Sequence, residues 1–215
     1  MKRLSVWSVL ILATLLATPS DTRADDTICL GLLIGMFDNV VVPPGGTCFL
    51  LNSVVNGNVK ALEDSTLFSS RNRIRGNIEG DKPEDVTSTG DVIGGNIQFK
   101  EVTPFPGNFF FVTVINSILI DGNIEIEKNT SAVVELVGNR VNKGNIKVEE
   151  VFTAGEFRII GNRVAQNLQV FKNRGPAAKT VQSNTVGQDL QCFENDPVFV
   201  GSPNFARKAE GQCSN

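Results

Sequence analysis

Histidine and tyrosine are both missing from the 215 residues, and the single tryptophan, Trp7, stands close to the N-terminus. Without an imidazole the chain cannot assemble a Ser–His–Asp or Cys–His centre. Without tyrosine, and with Trp7 inside the leader described below, only phenylalanine is left for stacking on a sugar ring. Basic residues are not in excess either: 20 Lys and Arg stand against 23 acidic side chains, a net charge of −3. That weak acidity, with no basic block, argues against nucleic acid and anionic membrane as partners. Long apolar runs are lacking as well. The stretches from Leu4 to Ala17 and from Phe109 to Ile120 are both too short for a comfortable membrane span.

What is present begins with a leader. Lys2 and Arg3 precede the apolar run, and "TPSDTRA" follows it before Asp25, the pattern of a secretory signal peptide cut after Ala24. No cysteine sits just after the run, which argues against a lipid anchor. The expected mature chain is one domain, residues 25–215, exported to an oxidising compartment and without a membrane span. Without residues 1–24, which hold Lys2, Arg3, Arg23 and Asp21, the net charge moves from −3 to −5.

The mature part repeats. Asn39, Asn58, Asn77, Asn96, Asn123, Asn145, Asn167 and Asp189 follow at spacings of 19, 19, 19, 27, 22, 22 and 22. An aliphatic residue comes after each, then an outward polar residue from the second rung on (Lys60, Glu79, Gln98, Glu125, Lys147, Gln169, Gln191), then mostly another apolar one. In–out–in alternation is a strand with one face buried. A second register precedes the first, at Asn72/Ile74, Asn116/Ile118, Asn139/Val141, Asn162/Val164 and Asn184/Val186. A third apolar patch follows, as at Val133–Leu136 and Phe157–Ile160. Three short strands in about twenty residues make one coil of a parallel β-solenoid. The expected fold is all-β, a right-handed parallel β-helix of about eight coils with 19–22-residue repeats. Residues 25–50 and 190–215 form its caps.

Stacked coils place equivalent residues about 4.8 Å apart, so each asparagine column can hydrogen-bond along the stack. Asparagine also tolerates a left-handed corner, and the glycine before it adds freedom there. Five residues after the ladder stand Glu63, Lys82, Glu101, Lys128, Glu150, Lys172 and Glu194, alternating in sign. Alternating charges in one column pair and pin the register. Cys29 and Cys48 are 19 residues apart, and Cys192 and Cys213 are 21 apart. Of the three possible pairings, Cys29–Cys48 and Cys192–Cys213 fit one rung each, stapling the two ends. With no histidine and the thiols at opposite ends, a zinc site is discounted; no metal and no cofactor is expected.

The segments "GNRVAQNLQVFKN", "SNTVGQDLQCFENDP" and the closing "EGQC" resemble a group of small secreted bacterial proteins with GN-x-V-x-x-NLQC-type repeats. The resemblance covers most of the mature chain. It implies a right-handed parallel β-helix and carries over no catalytic residues. "SPNFARKA" replaces the group's usual "GNTVGG" ending.

A polysaccharide hydrolase on this scaffold would need two carboxylates facing one groove, and Asp121, Glu125 and Glu127 are the candidates. The outward column around them is no acidic cluster, and long cleft-building loops are lacking. "GDKPEDVTSTGD", from Gly80 to Asp91, reads as a solvated polar corner, with Asp81, Glu84 and Asp85 as a weak cation site. The sequence therefore favours a non-catalytic scaffold over a polysaccharide lyase or hydrolase. Its partner would be a cell-surface or matrix component, protein or polysaccharide. The best contact element is the expansion "KEVTPFPGNFFFVTV", where Phe105, Phe109, Phe110 and Phe111 offer an aromatic patch. Alternatively Phe109 and Phe111 turn inward as core.

Overall fold

The computed structural model describes residues 25–103, 111–201 and 203–214, and among them every element is a strand. They form a parallel β-solenoid. One sheet stacks nine strands from Gly31–Leu33 to Phe199–Val200, and a second sheet is built from pairs of shorter strands such as Arg73–Ile74 and Ile78–Asp81. The inward column runs Val40, Val59, Ile78, Ile97, Ile124, Ile146, Leu168, Leu190 in unbroken parallel register. These side chains are fully buried, each contributing about 1.5–3 kcal/mol relative to exposure. The expected solenoid and its strand face are thus the observed ones.

Three polar ladders line the corners. In the first, the N–H of each asparagine donates to Oδ1 of the preceding rung: Asn58 to Asn39 at 2.9 Å, Asn77 to Asn58 at 2.8 Å, on to Asp189 and Asn167 at 3.1 Å. The second ladder runs the other way and is fully buried. Asn139 N–H donates to Asn162 Oδ1, and Asn162 N–H to Asn184 Oδ1, both at 2.9 Å. The same Asn162 donates Nδ2 to the Leu136 carbonyl at 2.7 Å, closing the corner. In this ladder Ser117, not Asn116, takes the place, because Ile118 stands opposite Val92 rather than Ile93. The third ladder runs through Asn173, Asn195 and Gln212. It lies beside the short strands Thr130–Ser131 and Phe152–Thr153, an added side of the coil that accounts for the longer late period.

The corner chemistry differs from the expectation in two ways. None of the first-ladder asparagines has a positive φ. After this ladder the left-handed positions fall instead on Asp64, Lys82, Glu101, Lys128, Glu150, Lys172 and Glu194, with φ of 53–58°, whereas at another corner Asn52 and Asn116 are themselves left-handed, with φ of 47° and 52°. The glycines before the asparagines serve a close approach: a Cβ on Gly76 would lie 2.3 Å from Asn58 Oδ1. The stretch Gly80 to Asp91 is also no solvated corner. Asp85–Thr89 is a strand of the nine-stranded sheet, and Asp85, Ser88 and Asp91 are buried. Its Ser88 hydroxyl donates to Asp91 Oδ2 at 2.7 Å, so these three polar residues face inward, while Asp81 and Lys82 remain exposed at the corner.

Both disulfides form as the spacing implies, Cys29–Cys48 and Cys192–Cys213, each with Cα atoms 5.4 Å apart. Two such bridges fit folding in an oxidising environment.

Candidate binding surfaces

The three candidate acids are tied into their neighbours. Glu125 Oε2 accepts from Gln98 Nε2 at 2.7 Å, and Asn123 Nδ2 reaches its other oxygen at 3.3 Å. Glu127 pairs with Lys147 at 2.8 Å, and Asp121 with Lys143. Lys147 also meets Glu149 at 2.7 Å, and these two hydrogen bonds hold its ammonium above the usual lysine range. Lys147 thereby bridges Glu127 and Glu149, two carboxylates that stand directly opposite each other in register, with Lys172 also 3.3 Å from Glu149. Among the described residues no three of His, Cys, Asp and Glu gather as a metal site.

The alternating column behaves differently from its reading. Among the described residues, only Lys172 and Glu150 approach there as an ion pair, at 3.4 Å. Asp64, not Glu63, takes the left-handed position at the first rung. The pairing that does occur runs in the adjacent strand column, where side chains stand perpendicular to the sheet rather than splaying from a corner.

Of the expected aromatic patch, Phe105, Phe109 and Phe110 lie outside the described residues. Phe111 opens the strand Phe111–Ile115 and faces outward, 40% exposed, while Val112 and Val114 are buried. The inward alternative for Phe111 is therefore overturned by the pleat. Two aromatic pairs, each of one exposed and one half-buried ring, were missed by sequence reasoning. Phe49 and Phe68 stack with centroids 5.1 Å apart, and Phe171 and Phe193 lie 5.9 Å apart. A signal existed for both: their separations, 19 and 22 residues, equal the local period.

A further surface lies on the two-residue strands. Arg140–Val141, Arg163–Val164 and the start of Thr185–Phe193 stack in register, so Arg140, Arg163 and Thr185 form one outward column. A groove of about 280 Å³ runs beside them, lined also by Val141, Asn142, Val164, Ala165 and Gly187. Arg140 Nε donates to Asn142 Oδ1 at 2.8 Å, which fixes the guanidinium along the groove wall. The column continues to Ile118 on one side and to Phe205 on the other. Comparison with known proteins places the chain beside none of them: no protein family, no curated protein and no solved structure matches it.

Proposed function

We propose that this chain is an exported, non-catalytic β-helical scaffold that attaches to a surface or matrix component. The observation that carries the reading is the fate of the carboxylates. Asp121, Glu125 and Glu127, the acids best placed for glycoside chemistry, are each bound by a cation or an amide of a neighbouring residue. Glycoside hydrolysis needs two carboxyls flanking the scissile bond in one groove, one of them able to donate a proton, and these ion-paired or amide-bound acids are engaged as acceptors instead. What the molecule offers to solvent instead is a set of straight columns, stapled at both ends, on a repetitive scaffold of the kind used for extended binding surfaces. The leader of residues 1–24 and the two disulfides support an extracytoplasmic site of action.

The test is a panel of acidic and neutral polysaccharides, with and without calcium, in which retention and product release are both measured. Retention without turnover is expected. Turnover that disappears in Glu125→Gln or Glu127→Gln would establish the enzyme reading in its place.

A further inference from the structure

From the surface around Arg140 and Arg163 we infer the class of ligand: a linear anionic polysaccharide, lying along the solenoid axis in this groove. The inference rests on the binding-scaffold reading and adds its site. Its starting point is an imbalance. Like charges stacked on adjacent rungs lie only about 4.8 Å apart and repel. Where the chain stacks two carboxylates, Glu127 over Glu149, it places Lys147 against both. Where it stacks Glu135 and Arg158, the two pair at 2.9 Å. Arg140 over Arg163 is the exception. Neither has an acidic partner within ion-pair distance among the described residues, and their groove is lined by Asn142, Ala165, Thr185 and Gly187 rather than by acids.

The missing counter-charge is what an anionic ligand would supply. Guanidinium forks match carboxylate and sulfate groups, and two of them on consecutive rungs match anions on consecutive units of a polymer. The rest of the column suits a sugar chain. Ile118, 37% exposed, stands opposite Arg140, and Phe205, 64% exposed, stands opposite Thr185. These apolar steps can take the C–H faces of sugar rings on either side of the arginines, with the Thr185 hydroxyl between them. Ala165 and Gly187 add little bulk to the groove lining. Gly187 admits nothing larger, since a Cβ there would lie 2.1 Å from the Ala165 carbonyl oxygen.

The experiment compares wild type, Arg140→Ala/Arg163→Ala, Phe205→Ser and Lys60→Ala, the last a control in another outward column. Probes are polygalacturonate, a sulfated glycan, neutral dextran and duplex DNA, with binding measured by calorimetry and thermal midpoints recorded for each protein. Wild type is expected to bind one or both acidic polymers and not dextran. The double arginine variant should lose roughly tenfold or more in affinity. Its midpoint should be unchanged or higher, because the repulsive pair is gone. Lys60→Ala should bind as wild type does. Equal affinity of the double variant and wild type would overturn the site while leaving the scaffold reading standing. Binding of DNA as tightly as the acidic glycans, lost in the same variant, would overturn the ligand class. Absence of binding to any acidic polymer overturns the inference altogether, whereas turnover would strike at the scaffold reading instead.

Discussion

Asp85 is a buried acid at the head of the strand Asp85–Thr89, opposite Thr66 of the rung before. Burial raises its carboxyl from the usual 3.8 to about 7; the Glu84 charge adds to this, and a hydrogen bond from the Phe111 backbone N–H opposes it. A raised carboxyl means that between about pH 4 and 7 the folded chain holds a proton which the unfolded chain has released. Stability contributed by the protonated form is therefore present at low pH and is lost as the pH rises through that window. Asp91, also pushed up by burial, acts in the same direction. Denaturant titrations from pH 4 to 8 should show Asp85→Asn with a flatter decline than wild type and a gain at pH 8. An unchanged pH profile would show that Asp85 is already ionised in the folded chain.

At the scale of the element, the corner is the unit that matters. A corner must turn a strand without leaving buried N–H groups unpaired, and the buried asparagines do this with both ends of one amide. Asn162 donates to the Leu136 carbonyl and to Asn184 Oδ1, and accepts from the backbone of Asn139. Asn162→Ala strands the Asn139 N–H and the Leu136 carbonyl away from water, which should cost about 3 kcal/mol. Asn167→Ala removes the Nδ2 bond to Asn145 Oδ1 and the Oδ1 acceptor of the Asp189 N–H in the half-exposed first ladder, where water can replace them, and should cost about 1 kcal/mol. Urea denaturation of the two variants decides it: equal losses would mean that burial does not separate the ladders. The glycines carry a different constraint. They are small because the asparagine oxygen of the rung below occupies the space a side chain would need.

At the scale of the whole molecule, contacts are almost all between adjacent coils, so stability is close to a sum over neighbours. Deleting residues 146–167 removes one complete period, since Ile146 stands opposite Leu168 and Asn145 bonds to Asn167. Asn145 then joins Leu168 with every column still aligned. This chain should fold with the same β-type circular dichroism and a lower thermal midpoint. Deleting only residues 146–156 puts later side chains on the wrong columns and should abolish cooperative unfolding. The ends are where this economy fails. Leu30, Leu32 and Met36 of the first coil and Val198 and Phe205 of the last stand exposed, each with a neighbouring rung on one side only. The two disulfides tie these coils to the ones next to them, where unpaired strand edges would otherwise fray.

Fold class, strand face and disulfide pairing were all legible from the letters, and for one reason. A solenoid repeats each contact at a fixed sequence interval, so the 19- and 22-residue spacings of asparagines, aliphatics and cysteines are a direct copy of the stacking. Burial of polar residues was not legible. Ser88 and Asp91 are as polar in the sequence as any surface loop, and only the neighbouring Asn72 and Ser117 make their burial possible. At the first-ladder corner the left-handed position fell on Asp64 and on lysines and glutamates, while asparagine took it only elsewhere, at Asn52 and Asn116; the ladder amides are held by the rung beside them, a contact absent from any local pattern. The arginine groove belongs to the same class. Arg140 and Arg163 each stand between the asparagine and the valine of the second register, so the 23-residue spacing already puts them in one column, but only the stacked structure shows that no counter-charge reaches them there. Periodicity recorded which residues share a column; which columns are dry, strained or unbalanced was decided by the packing of one coil on the next.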